Sequence, residues 1–414
     1  MSDALAALKE RGFFEQCSNE AELTRLLFSE RVTYYAGFDC TADSLHVGHM
    51  MGIMAMAHLQ RAGHRPIAIV GGGTTMIGDP SFRADDRRIM PVSEIEANSA
   101  AILDQLKRFL DLSGDRGLFR NNADWLVPMR YIDFLRDIGR HFRVNEMLRT
   151  EAYRTRFERG EGLSFIEFNY QLLQSYDFLH LFRHEHCLLQ VGGSDQWGNI
   201  VSGIELIRRE EGKEAFALTF PLLMTASGQK MGKTVSGAVW LAKEKTSPYE
   251  FYQYWINVDD RDVQKLLGFF TFLPMDEVRR LGGLQDAAIR EAKETLAYEV
   301  TKLTHGVGEA DRARAAAQAA FGGSGDLASV PTKELEAARL AQGISVVDLF
   351  FEVGLAVSKS EARRLVLQGG AYVNDQPVGN ISTVVSSRDL RDGALMLRSG
   401  RKRFARVVPV SHAL

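Results

Sequence analysis

Cysteine is scarce: Cys17, Cys40 and Cys187 lie far apart in 414 residues. That number and spacing exclude a disulfide framework and a cysteine-built zinc site, and they suit a reducing compartment. No apolar run approaches membrane-spanning length, and the N-terminal residues carry Asp3, Lys9, Glu10 and Arg11 instead of a signal-peptide core. A cytoplasmic protein with no membrane partner is therefore expected. Net charge is only −3, which by itself announces no polyanion partner. Two common nucleotide signatures are also missing. Gly71-Gly72-Gly73 is not a G-x-G-x-x-G, and Lys233-Thr234 lacks the preceding glycine spacing of a phosphate loop.

What is present is more telling. An apolar content of 45% over several domain lengths supports a substantial core. Charge is unevenly spread: residues 344–414 carry +4 and the remainder −7. The basic cluster Arg398, Arg401, Lys402, Arg403 and Arg406 reads either as a solvated edge or, given the local reversal of sign, as a surface for a polyanion.

From about residue 33 to 240, strand-like runs alternate with helical ones. Val32–Phe38 precedes a helical run, Pro66–Val70 leads into the glycines, and Cys187–Val191 leads into Gly192-Gly193-Ser194-Asp195. This pattern predicts an α/β domain with a Rossmann-like parallel sheet that binds ligands beyond the carboxyl ends of its strands. Residues 120–165 are arginine-rich and read as a helical insertion. An all-α domain is expected from Ser247-Pro248 to about 325, a linker over 326–343, and a small α+β domain over 344–414. The α/β domain then spans 1–246.

Two elements carry chemistry. His46-Val47-Gly48-His49 sits where a strand gives way to the apolar run Met50, Met51, Ile53, Met54, Met56, Leu59. Free backbone N–H groups and the helix dipole favour a phosphate at such a start. A capped core helix with incidental histidines, or one edge of a metal site, remains open on this motif alone. Downstream, Lys230-Met231-Gly232-Lys233-Thr234 lies in a small, polar, glycine-rich loop, which alone reads as an exposed turn. His184-Glu185-His186-Cys187 looks metal-like but reads better as a helix end entering the strand Leu188–Val191.

Together the two elements resemble the signature pair of class I aminoacyl-tRNA synthetases, HIGH and KMSKS, with Val47 for Ile and Gly232 for the central Ser. The segment Phe165–Leu179 narrows the resemblance. Tyr170, Gln174 and Asp177 fall on one helical face among Phe168, Leu172, Leu173, Phe178 and Leu179. A solvated stripe is the ordinary explanation of such spacing, but these neighbours leave little room for water. A buried carboxylate needs a donor.

This segment, Gly192–Asn199 and Lys245–Tyr252 are similar to bacterial-type tyrosyl-tRNA synthetases over almost the whole chain. Cys40, where that family often has proline, is a small departure. The resemblance implies activation of L-tyrosine by ATP and transfer to tRNA(Tyr). It implies that Tyr35 and Asp177 bond the substrate hydroxyl, and that Asp79, Tyr170 and Gln174 surround its ammonium. Gln190 and Gln196 would lie near the carboxylate, while Gly37, Asp39 and Thr41 line the substrate and nucleotide. Gly193 and Asp195 would hold the ribose, and His46, His49, Lys230, Lys233 and Thr234 would serve the phosphates. Mg²⁺ is expected with ATP, without a tightly bound protein metal, and a homodimer through the 120–165 insertion.

The tail Ser358–Val366 with Gln368–Asn374 is similar to a small RNA-binding domain named after a ribosomal protein. That likeness implies RNA contacts from Lys359, Arg363 and Arg364, and the basic cluster adds Arg401, Lys402 and Arg403. Three readings compete: a tryptophanyl relative, which lacks this tail, a small nucleotidyltransferase, which shares the histidine motif but would not need the helical and tail domains, and a non-catalytic RNA-binding relative, which would not need both histidines, both lysines and the whole pocket.

Overall fold

A computed structural model describes residues 3–79, 90–160, 162–234, 237–322, 332–374, 376–391, 393–400 and 403–410. Packing divides the chain into two compact units, residues 1–232, 240–242 and 261–283 in one and 233–239, 243–260 and 284–414 in the other. Among the described residues no helix is long and apolar enough to cross a membrane.

The first unit is built on a six-stranded sheet: β1 (Gln16–Cys17), β2 (Thr33–Phe38), β3 (Arg65–Val70), β4 (Leu118–Asn121), β5 (Cys187–Gly193) and β6 (Phe216–Phe220), in the order β1-β6-β5-β2-β3-β4. All neighbours are parallel except β1 with β6. The chain runs outward from β2 through β3 to β4, then returns to lay β5 on the other side of β2. The switch point therefore lies between β2 and β5, and a crevice opens beyond their carboxyl ends. Short apolar runs such as Ile67-Ala68-Ile69-Val70, almost wholly buried, make the parallel strands.

Three helices frame that crevice. Helix α1 (Val47–Arg61) follows β2 and buries Met50, Met51, Ile53, Met54, Met56 and Leu59. Helix α2 (Tyr170–Glu185) precedes β5 and ends at His186 in the left-handed region, φ 53°. Helix α3 (Trp197–Glu211) packs on α2. The 120–165 segment is a series of short helices (Ala123–Leu126, Tyr131–Asp137, Val144–Met147, Glu151–Glu158) that begins on the end of β4.

Two features depart from the expected organisation. Helix α4 (Val263–Phe270) and the helix Met275–Gly282, expected in an all-α domain beginning at 247, pack within the first unit. Arg11 is the tie: its guanidinium donates to the carbonyls of Gly268, Thr271 and Leu273 at 3.2, 3.1 and 2.6 Å. In the second unit, Thr332–Glu336, expected inside the linker, forms a strand parallel to Arg403–Val410. Only Leu335 of that strand is buried, so its charged sequence gives no strand signal.

The remainder of the second unit comprises the packed helices Pro248–Ile256, Ile289–His305 and Val307–Gly322, and a five-stranded sheet of the tail. The tail has its own core around Val346, Leu349, Phe350, Val366, Leu395 and Val407. The glycines at 323–325 lie outside the described residues.

Candidate active site

Strand register brings the first pair together. Tyr35 on β2 is the register partner of Gln190 on β5, so both side chains leave the same face of the sheet. Tyr35 is 2% exposed and Gln190 4%. Among the described residues neither the Tyr35 hydroxyl nor Gln190 Oε1 has a hydrogen-bond partner. Burying a polar atom unpaired is costly, so two such atoms on register-paired residues are a place where a ligand could complete the bonding.

Asp177 closes the same region from α2. It is 4% exposed, and its two oxygens accept from Asn122 Nδ2 at 2.9 Å and Trp125 Nε1 at 2.7 Å. Burial pushes its carboxyl up to about 7; the two hydrogen bonds oppose that shift and the charge of Asp39 adds to it. The Tyr35 hydroxyl is held well above the ordinary phenol range, first by burial and then by Asp177. Trp125 is in turn stacked on His180, ring centroids 4.3 Å apart.

A second network runs along α2 and α3. Gln196 Nε2 donates to Asp79 Oδ2 at 2.9 Å, and Asn199 Nδ2 donates to Gln174 Oε1 at 3.0 Å and Gln196 Oε1 at 3.3 Å. The Tyr170 hydroxyl donates to Asp39 Oδ2 at 3.4 Å, and Asp39 Oδ1 accepts from Thr74 at 3.2 Å. Gly71 owes its identity to this crowding: a Cβ there would collide with Asp39 Oδ1 and Thr74 Oγ1. Gly193 ends β5 beside Asp195, whose carboxyl is raised mainly by burial. Gly37 and Thr41 are exposed on this rim.

His46 is the N-cap of α1, and the two histidines build a reciprocal cap. Gly48 N–H donates to His46 Nδ1 at 3.0 Å, and His46 N–H donates to His49 Nδ1 at 3.1 Å. The rings stack at 3.9 Å. With both Nδ1 atoms accepting, a neutral ring carries its proton on Nε2, the nitrogen free of the cap. The loop after β6 ends against this turn: Gly232 has φ 92°, and a Cβ there would come 3.0 Å from Gly48 N. Gly232 thus provides close approach to the histidine turn.

Lys230 forms a bridge with Met224 in that loop. Lys233 and Thr234 form a short strand with Gly237–Ala238; their side chains lie outside what the structure describes. In the tail, Arg363 and Arg364 are exposed on the helix Lys359–Leu367, while Lys359 pairs with Asp348 at 2.7 Å. Arg403 donates to the Gly354 carbonyl at 2.7 Å, and Arg401 and Lys402 lie outside the described residues.

Asn122, Trp125 and Asn199 escape sequence reasoning. Asn199 stood in a recognised motif without a role. Asn122 and Trp125 follow β4, a four-residue strand too short to stand out by periodicity.

The family model described as tRNA synthetases class I (W and Y) matches residues 29–322, and the tyrosine–tRNA ligase SYY-like C-terminal domain matches 326–407. The chain is 53% identical to the tyrosine–tRNA ligase of Caldanaerobacter subterraneus subsp. tengcongensis over 404 residues, 98% of each chain. It is equally similar, at 53%, to that of Clostridium botulinum over 409 residues, 99% of this chain and 100% of the relative. Among solved structures, a C-terminally truncated mitochondrial tyrosyl-tRNA synthetase of Aspergillus nidulans is 33% identical with a TM-score of 0.67, covering 76% of this chain and 93% of its own.

Proposed function

The chain belongs to the tyrosine–tRNA ligases, class I synthetases that activate tyrosine with ATP and pass it to tRNA, and we propose that its site divides that work between two groups of residues. One group recognises tyrosine. Tyr35 and Asp177 take the phenol hydroxyl, Tyr170, Gln174 and Asp79 surround the ammonium, and Gln190 and Gln196 face the carboxylate. The observation that carries this reading is that, among the described residues, the Tyr35 hydroxyl and the Oε1 of its register partner Gln190 lack hydrogen-bond partners beside a buried carboxylate.

The other group meets ATP. Tyrosine's carboxylate is already ionised and attacks the α-phosphate without a general base. Rate must come from alignment and from donors that meet the charge building on phosphorus and pyrophosphate. His46 and His49 supply Nε2–H donors from a fixed helix end; Lys230, Lys233 and Thr234 come from a loop. Gly37 and Asp39 line the tyrosine, and Thr41, Gly193 and Asp195 line the nucleotide side. Mg²⁺ enters with ATP as part of the substrate. The adenylate then gives its tyrosyl group to a ribose hydroxyl of the terminal tRNA adenosine.

Residues 247–325 would read the anticodon arm and the tail would hold RNA phosphates through Arg363, Arg364 and the basic cluster. The cytoplasm, with its tRNA and reduced thiols, is the proposed compartment. The homodimer reading draws support from exposed apolar residues concentrated in one stretch of the first unit: Tyr131 at 59%, Ile132 at 69%, Val144 at 57% and Phe165 at 69%. Tyr131, Val144 and Phe165 rim a cleft of about 470 Å³. Such a patch is what a second copy would cover, and Phe165→Asp should shift sedimentation to the monomer.

Truncation near residue 325 tests the division between activation and transfer. Tyrosine-dependent ATP–pyrophosphate exchange should stay within about twofold, whereas tRNA charging should fall by about 100-fold or more as several phosphate contacts are lost together. Unchanged charging would remove the tail from RNA binding.

A further inference from the structure

The loop that carries Lys230 is held from a direction its sequence does not suggest. Residues 223–231 form a small hairpin: Met231 N–H donates to Leu223 O at 2.8 Å, Thr225 N–H to Gln229 O at 2.8 Å, and Gly228 N–H to Thr225 O at 2.9 Å. Lys230 faces Met224 across it. Two side chains at the start of α4 grip the Met224 side. Asp262 Oδ2 accepts from Ala226 N–H at 2.9 Å, and Lys265 Nζ donates to Met224 O at 2.7 Å. The two residues also pair with each other at 3.0 Å.

Asp262 is only 3% exposed and occupies the N-cap of α4, yet its side chain makes no cap bond. An aspartate at that position ordinarily satisfies the helix's own free N–H groups. Here both oxygens face the hairpin and the lysine that grips it. A buried carboxylate is kept only with such partners, so the grip and the burial sustain each other.

We propose that Asp262 and Lys265 are positioning residues for tyrosine activation, fixing the hairpin so that Lys230 is delivered to the phosphates beside His46 and His49. The proposal rests on the role of Lys230 given above. Clamping Met224 and Ala226 fixes the strand opposite Lys230, and the Gly232 contact with Gly48 fixes the far end. Freed at its base, the hairpin would carry Lys230 away from the developing charge while leaving the tyrosine pocket, built on β2, β5 and α2, intact.

Pyrophosphate exchange on the full-length chain tests this with Asp262→Ala, Asp262→Asn, Lys265→Met, Lys230→Ala and the double variant Asp262→Ala/Lys230→Ala. Asp262→Ala should lower kcat by about 30- to 100-fold, the scale of a misplaced group, with tyrosine KM unchanged. Asp262→Asn keeps an acceptor for Ala226 and should recover most of that loss. Lys265→Met, altering a residue at the surface, should give a smaller loss confined to kcat, and carries the test if Asp262→Ala does not fold. In the Lys230→Ala background, Asp262→Ala should cost less than about threefold more, because both act through one group. Additive losses, a parallel rise in tyrosine KM, or wild-type kcat in both Asp262→Ala and Lys265→Met would overturn the proposal. Normal exchange by Lys230→Ala would instead sink the assignment of Lys230 itself.

Discussion

Asp177 and Lys230 occupy regions built on opposite plans. Asp177 is buried on a 16-residue helix, with each oxygen bonded to a donor from another part of the sheet edge. Lys230 rides a nine-residue hairpin gripped at its base by Asp262 and Lys265 and followed by the close approach of Gly232 to Gly48. The difference follows the demands of the two steps. Discrimination between amino acids needs polar groups fixed before substrate arrives, since a loose donor adapts to the wrong ligand. Stabilising charge on phosphorus needs groups that matter chiefly at the transition state, which a loop can supply.

The comparison breaks most visibly on the loop side. Replacing Lys230 and Lys233 together by alanine should cut kcat for exchange by about 10³-fold, following the loss per donor seen when charge stabilisers are removed, with tyrosine KM within about twofold. A large rise in tyrosine KM at constant kcat would erase the distinction between the two regions.

The next effect is on the pocket side and concerns protons. Burial raises Asp177 to about 7. The folded value lies above the unfolded one, so the stability linked to this group is fully present below about pH 4 and is lost as pH rises through 7. In the proposed site the phenol of tyrosine donates a hydrogen bond to the ionised form, so binding would run the other way. The tyrosine Kd of the free enzyme should rise about tenfold per pH unit below 7, and Asp177→Asn should flatten that slope. Equal slopes from titration calorimetry between pH 5 and 8 would show that Asp177 does not receive the phenol.

The smallest effect sharpens the same side. Tyr35→Phe removes one neutral hydrogen bond, so preference for tyrosine over phenylalanine should drop by about tenfold in kcat/KM. Unchanged preference would take Tyr35 out of recognition.

Legibility differed between the two regions for physical reasons. The loop and the histidine turn are contiguous in sequence, so residue type and spacing carry their chemistry, and the reciprocal cap of His46 and His49 lies within four residues. Tyr170, Gln174 and Asp177 were legible because a helix repeats along the chain. Asn122 and Trp125 were not: they reach Asp177 from 55 and 52 positions away, by way of a four-residue strand. Asp262 was hidden further, because a carboxylate before an apolar run reads as a helix cap.

Composition, periodicity and short motifs by themselves determined the α/β class, the helix start that carries both histidines, the glycine-rich loop and the basic tail, all properties set by neighbours along the chain. Only the tertiary structure decided that Tyr35 and Gln190 share a register, that Asn122 and Trp125 hold the buried carboxylate, and that α4 packs within the first unit and, with Asp262, grips the hairpin that carries Lys230. Those are contacts between segments far apart in sequence, and their energies come from burial and strand order, which no local pattern encodes.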